Sequence, residues 1–243
     1  MSKLIGIVGG MGPYSALDVN KKIFDNTLAL SDKEHLNVVL LSFCSGIPGR
    51  TKFLMGETLE NPASSLAEKI SPFEVDIVAV ACHTFHTPPM FDVFEADLQK
   101  STHPSQIIHL PNAVKKEILK HYEGKKIAVL STVGTYELQL YQQLFDNSTV
   151  QLQFPDLAGR KAIQEALLNP QWGIKRKGTL SAQAKLLLEA EIAKFYEADA
   201  LLLACTELPL IIQQLECSLP IIDPNLILAR ALIEAACPQK LKR

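Results

Sequence analysis

At 243 residues the chain can bury one large core or two smaller ones, and 47% hydrophobic against 21% charged residues is a globular composition, not a disordered one. A formal charge of −2 excludes a global attraction to nucleic acid or anionic membrane, so an anionic ligand must be held by local basic groups. Five scattered cysteines, an odd number, argue against a disulfide framework and for a reducing, cytoplasmic setting.

The elements follow from short apolar runs alternating with longer amphipathic stretches. A strand over 4–8 leaves no room for a signal peptide before it, and it runs into Gly9-Gly10-Met11-Gly12-Pro13. A helix is expected over 14–29, then a strand over 37–43 ending at Cys44. Ser45 to Thr51 read as a long turn-rich loop carrying Arg50. Asn61-Pro62 opens a helix to 70, with a capping side chain before a proline at the first helical position. The run 76–81 ends at Cys82, with His83, Thr84 and His86 just beyond. A strand over 106–109, a helix over 111–121 and a strand over 126–130 lead to Ser131-Thr132-Val133-Gly134-Thr135. Next come a helix over 135–145, a strand over 150–154 and a helix over 157–168. Gly173 to Gly178, carrying Lys175, Arg176 and Lys177, reads as a mobile basic loop. A helix over 180–196, strands over 199–204 and 219–222, and a helix over 223–236 begun by Asp223-Pro224 complete the pattern. No apolar run reaches the roughly 18 residues of a membrane span.

The order predicts an α/β protein built from βαβ units around parallel sheets. It also contains a repeat. D-I-V-A-V-A-C ending at Cys82 matches D-A-L-L-L-A-C ending at Cys205, and Lys3 to Tyr14 matches Lys125 to Tyr136. Tyr14 and Tyr136 lie 122 residues apart, and Cys82 and Cys205 lie 123 apart. The expectation is two pseudo-symmetric parallel-sheet halves from an internal duplication, 1–111 plus 223–243 and 112–222, with an active site in the cleft between them. Each half offers a cysteine from an equivalent strand end.

A single buried cysteine at a strand end is ordinarily a small core residue, and Cys44, Cys217 and Cys237 read that way. Cys82 and Cys205 stand apart because they occupy matching places in a repeat, each followed by a polar residue and Thr84 or directly by Thr206. A free thiol has a pKa near 8.5, and lowering it to about 7 requires roughly 2 kcal/mol of preferential thiolate stabilisation, part of which N–H groups of a following helix can supply. A thiolate and a thiol on opposite faces of one carbon then serve as base and acid. The loop with Met11 and Gly12 suits close approach of an anion to backbone N–H groups, and Thr132 and Thr135 offer hydroxyls from the matching loop. The G-x-G-x-x-G spacing of a dinucleotide site fails. Arg50 suits a bidentate carboxylate, and the basic run a flap over an acidic ligand. His83 suits a hydrogen bond beside the thiol, and Glu207 the orientation of Thr206 or of a substrate ammonium, or equally a carboxylate in a helix's first turn. A zinc set of Cys82, His86 and Cys205 matches no standard closed spacing, so no metal is expected.

G-I-V-G-G-M-G-P, I-P-G-R-T, A-C-H-T-F-H, V-L-S-T-V-G-T, A-C-T-E-L-P and P-I-I-D-P, in order from residue 5 to 224, together resemble the aspartate/glutamate racemase family, in particular its aspartate racemase branch. The resemblance implies two pseudo-symmetric α/β domains, a homodimer, and racemisation without cofactor by two cysteines. It assigns catalysis to Cys82 and Cys205 and substrate binding to Met11, Gly12, Arg50, Thr132 and Thr135, with Lys177 as the nearest match for the basic loop residue; Thr84 and Thr206, beside the two thiols, are further substrate-binding candidates. His83 stands where the family usually has asparagine. The expected activity interconverts L and D forms of an acidic amino acid, aspartate ahead of glutamate, in the cytoplasm and without nucleic-acid or membrane partners. The competing readings are a maleate isomerase or hydantoin racemase-like enzyme, and a catalytically silent amino-acid-binding protein.

Overall fold

The structure, a computed structural model, describes residues 3–243. In chain order the elements are β1 (Ile5–Gly9), α1 (Pro13–Asn26), β2 (Val38–Ser42), α2 (Arg50–Leu54), α3 (Pro62–Ile70), β3 (Ile77–Val80), α4 (Pro88–Gln99), β4 (Gln106–Ile107), α5 (Leu110–His121) and β5 (Lys126–Leu130). They continue with α6 (Val133–Glu137), α7 (Leu140–Phe145), β6 (Gln151–Gln153), α8 (Leu157–Leu168), α9 (Ile174–Lys177), α10 (Ala182–Ile192), β7 (Ala200–Leu203), β8 (Ile221–Ile222) and α11 (Pro224–Ala236). Every strand pairs in parallel, in two four-stranded sheets ordered β2-β1-β3-β4 and β6-β5-β7-β8. The second order repeats the first strand for strand. The central strands β1, β3 and β7 are buried along their whole length, which is why they contain no polar side chain and are built from Ile, Val, Leu, Ala and Gly.

The chain divides into two compact units, one running to Ala113 and taking in Asn225–Arg243, the other Val114–Pro224. Within the first, α11 returns to α1: Asn225 Nδ2 donates to Asp18 Oδ2 at 2.7 Å, and Arg230 Nη1 donates to Asn26 Oδ1 at 3.3 Å.

The aspartate that opens each repeated motif has a structural task. Asp76 Oδ2 accepts the Leu4 N–H at 2.7 Å, and Asp199 Oδ2 accepts the Lys126 N–H at 2.8 Å. Each carboxylate thereby satisfies an amide at the start of the neighbouring central strand, and the Asp199 carboxyl is held below its usual range chiefly by that bond. The remaining helices begin where local chemistry dictates. Asn61, Asp156 and Ser181 cap α3, α8 and α10 by accepting from Ala63, Gly159 and Ala184 N–H groups.

Segments away from the strand ends also differ from the sequence reading. The expected helix over 135–145 is two helices, parted at Gln139 in a left-handed conformation (φ 52°), so that Thr135 and Tyr136 bury on one face and Leu140, Tyr141 and Phe145 on another. A further helix, α4, starts at Pro88-Pro89, where first-turn N–H groups need no intrahelical partner. The expected mobile loop 173–178 is the helical turn α9, anchored by fully buried Ile174 and closed by Gly178 at φ 67°.

The glycine loop after β1 is fixed sterically. Gly10 has φ 91°, and a Cβ there would lie 2.6 Å from the Phe43 carbonyl carbon. Gly10→Ala therefore combines left-handed strain with a backbone clash and is expected to cost about 2–4 kcal/mol. Urea unfolding of the variant measures this; a loss below about 0.5 kcal/mol contradicts the loop geometry.

Candidate functional site

Cys82 and Cys205 follow β3 and β7 with the same local backbone. The N–H of Cys82 bonds back to Val80 O at 2.9 Å, and that of Cys205 to Leu203 O at 2.8 Å. Both cysteines are 5% exposed. Each is followed by a short 3-10 turn (Thr84–His86 and Leu208–Leu210), not by the helix the sequence suggests, so only one tight turn of N–H groups lies near each sulfur.

In the first unit, Cys82 shares a buried cluster with Val8, Met11 and Phe85. Ser15 ties the glycine loop to this strand end: its hydroxyl contacts Gly12 O at 2.9 Å and Ala81 O at 3.3 Å. A depression of about 240 Å³ opens beside the loop, lined by Gly10, Met11, Cys44, Gly49, Arg50 and Lys52 among others. Arg50 thus lies with Met11, at the head of α2 and half-buried, rather than in an open loop.

Three histidines back Cys82. His86 Nδ1 lies 2.8 Å from Cys82 O, and the Leu110 N–H reaches His86 Nε2 at 3.3 Å. That pattern assigns the proton to Nδ1 and leaves His86 neutral, with both nitrogens engaged; it is no free metal ligand. Among the described residues no group of three or more His, Cys, Asp and Glu side chains is placed to hold a metal. His109 packs edge-on to His86 with centroids 4.7 Å apart, and its Nδ1 accepts the Asn112 N–H at 3.1 Å. Burial, reinforced by His109, holds His83 down to about pKa 3 and His86 well below its usual range. Burial likewise holds His109 down to about 4. Thr84 is half-buried in the adjoining turn, and its carbonyl accepts from Thr87 Oγ1.

In the second unit, Thr132 Oγ1 and Thr135 Oγ1 lie 3.4 Å apart. Their loop is braced by Tyr136, which the sequence marks only as the last residue of the repeat, and by Gln164, which it does not mark. Tyr136 OH accepts from Ser131 N–H at 2.7 Å and donates to Val129 O at 2.9 Å, and the Val133 N–H donates to Gln164 Oε1. Burial pushes the Tyr136 phenol up to about 12.

Cys205 Sγ donates to Glu207 Oε2 at 3.1 Å, and Lys175 Nζ lies 3.6 Å from the same oxygen. Glu207 is 1% exposed and Thr206 2%. Burial first, and the Glu207 carboxylate second, push the Cys205 thiol well above its ordinary range, while Lys175 acts the other way. The lowered pKa expected from a following helix is therefore absent at Cys205: there is no such helix, and the nearest charge is negative. Lys175, not Lys177, is the basic side chain brought to this cysteine. Two positions on a helical turn diverge by about 200°, and Lys177 instead lines a separate depression with Trp172, Arg176 and Ser181.

A family model described as Asp/Glu/Hydantoin racemase matches residues 8–232. The chain belongs to that racemase family. It is 24% identical to the broad specificity amino-acid racemase RacX of Bacillus subtilis (strain 168), over 95% of this chain and 96% of the relative. Among solved structures it is similar to Picrophilus torridus aspartate racemase, with a TM-score of 0.81 and 26% identity over 96% of this chain and 94% of the other. The fold is also that of glutamate racemase from Campylobacter jejuni subsp. jejuni, with a TM-score of 0.59 and 18% identity, covering 98% and 90% of the two chains. Independence from pyridoxal phosphate fits membership of this family.

The histidines beside Cys82 give a pH prediction. Their folded pKa values lie below the ordinary 6.5, so below that pH the unfolded chain binds more protons. Their contribution is intact above about pH 6.5 and is lost as pH falls toward 3–4, by about 1.4 kcal/mol per pH unit per histidine. Urea unfolding at several pH values should show His83→Asn with a shallower loss than the wild type between about pH 6.5 and 4. Parallel curves would contradict the buried, neutral His83.

Proposed function

We propose that this protein interconverts the L and D forms of an acidic amino acid, aspartate ahead of glutamate, with Cys82 and Cys205 as opposed base and acid and no cofactor. The observation that carries the reading is the equivalence of the two strand ends. Matching strands of two sheets with the same order end in buried cysteines whose backbones turn in the same way. A core role for both thiols does not account for that pairing within a racemase family.

In this mechanism the backbone N–H groups at Met11 and Gly12, with Thr84, Thr132, Thr135 and Thr206, bind the α-carboxylate and amino group. Arg50 takes the side-chain carboxylate as a planar fork, and its place beside the glycine loop supports that role. One thiolate removes the α-proton, and the electron pair spreads into the α-carboxylate, where the loop donors stabilise it. The other thiol delivers its proton to the opposite face. His83, in place of the usual asparagine and held neutral, supplies one N–H donor without a charge. Lys175 replaces Lys177 as the basic residue of the site. Arg50 and Lys52 favour a dicarboxylate over a hydantoin.

The dimer and the cytoplasmic setting are parts of the same proposal. Leu17, Phe24 and Leu28 expose apolar surface along and just beyond α1, which suits a subunit contact. No helix among the described residues is long and apolar enough to cross a membrane.

Chiral chromatography of L- and D-aspartate and glutamate incubated with the protein tests the reading. Racemisation is expected in both directions, with at least a thousandfold loss in Cys82→Ser and in Cys205→Ser. Binding of either amino acid without racemisation, and without uptake of deuterium from heavy water at the α-carbon, would establish the silent binding protein instead. Arg50→Gln should weaken kcat/KM for aspartate by about thirtyfold or more, the loss of a charge-assisted bond of about 2 kcal/mol. An unchanged value would remove Arg50 from the site.

A further inference from the structure

We propose that Glu207 is a positioning residue that holds Cys205 as the thiol in the ligand-free protein, so that Cys205 enters the reaction as proton donor. The inference rests on the racemase reading only for its consequence; the hold itself is a property of the second unit. Its basis is geometric. The Cys205 S–H points at Glu207 Oε2 over 3.1 Å, inside a site where both residues are almost fully buried. Lys175 Nζ reaches the same carboxylate oxygen at 3.6 Å. The other oxygen, Glu207 Oε1, is buried without a hydrogen-bond partner. A structural carboxylate at a helix start would spend its oxygens on backbone N–H groups; this one is directed at a thiol and an ammonium.

The remaining groups around Cys205 in its unit act less directly. Tyr136 approaches from α6 as a neutral phenol, its hydroxyl committed to Val129 O. Arg160 on α8 stands over the Tyr136 ring at 5.0 Å and donates from Nε to Pro155 O. The charges nearest the sulfur are therefore Glu207, which opposes a thiolate, and Lys175, which favours one.

The proton movement is simple to balance. The Cys205 S–H bond breaks, its proton forms the new C–H bond at the α-carbon, and the electron pair remains on sulfur. The resulting thiolate sits beside the Glu207 carboxylate and regains a proton from the next α-carbon or from water. Glu207 has no counterpart beside Cys82, where the neighbours are His83 and His86. The two halves therefore share a backbone plan and differ in how they set the protonation of their thiols.

The test is the pH dependence of iodoacetamide labelling at Cys205, followed by peptide mass spectrometry, in the wild type, Glu207→Gln and Lys175→Met. Glutamine keeps an acceptor oxygen and the side-chain shape while removing the charge. Because Cys205 is buried, labelling midpoints are compared, not absolute rates. The midpoint in Glu207→Gln should fall by at least about one pH unit, a tenfold gain in thiolate at a given pH below it. Lys175→Met should move it upward. An unchanged midpoint in a Glu207→Gln protein with a native circular dichroism spectrum overturns the proposal. Should that variant not fold, an unchanged or lowered midpoint in Lys175→Met overturns it. Labelling needs no substrate, so a failure here leaves the racemase reading standing. A shifted midpoint in a protein that racemises nothing would retain the hold on Cys205 and discard its catalytic use. Where racemisation occurs, the kcat pH profile of Glu207→Gln should shift with the labelling midpoint, which a merely structural carboxylate would not produce.

Discussion

A parallel strand covered on both faces has to dispose of its last backbone groups without water. Here β3 and β7 solve this by turning within one residue, the cysteine N–H folding back to the carbonyl two positions earlier. The rest of each site depends on that turn. It stops the strand at the same point in both sheets, leaves the thiol at the carboxyl edge, and leads through His83 in one unit and Thr206-Glu207 in the other into a 3-10 turn. At the opposite end of the same strands, Asp76 and Asp199 secure the adjacent central strand by equivalent bonds. One repeated segment thus anchors the start of the neighbouring strand at one end and places a cysteine at the other.

The environments built on this common backbone diverge. Around Cys82 the chain places neutral histidines, of which His86 links the Cys82 carbonyl to the start of α5. Around Cys205 it places a carboxylate and an ammonium. Neutral imidazoles leave the local potential nearly unchanged, whereas a buried carboxylate beside a thiol biases it strongly toward the protonated form. Duplication supplies the two equivalent positions; subsequent divergence of the residues just after each cysteine gives them distinct electrostatics.

Much of this was legible in the sequence for definite reasons. The central strands are legible because buried parallel strands are near-continuous apolar runs, whereas the edge strands β4 and β6 are short and partly exposed; the equivalence of Cys82 and Cys205 is legible because the repeat spans both strand and turn. The less legible features depend on contacts between distant residues or on helical phase. Lys175 and Lys177 are indistinguishable as charges in a run; only their divergence on α9 separates them. His109 lies far from Cys82 in sequence and joins it through His86. Tyr136 was noted as a matching residue of the repeat, but its brace between Ser131 and Val129 requires the break at Gln139. From sequence, Glu207 suits a partner for Thr206, for substrate or for a helix's first turn equally well, since sequence does not show which way a buried carboxylate turns.

The central claim is that two thiols serve opposite faces of one carbon, and the isotope content of the earliest product tests it most directly. With L-aspartate in heavy water, proton NMR and mass spectrometry at low conversion should find the D product carrying one deuteron at the α-carbon while the remaining L substrate keeps its protium. Deuterium appearing equally in recovered substrate and product from the start would indicate a single base working on both faces, and would contradict the paired-cysteine account.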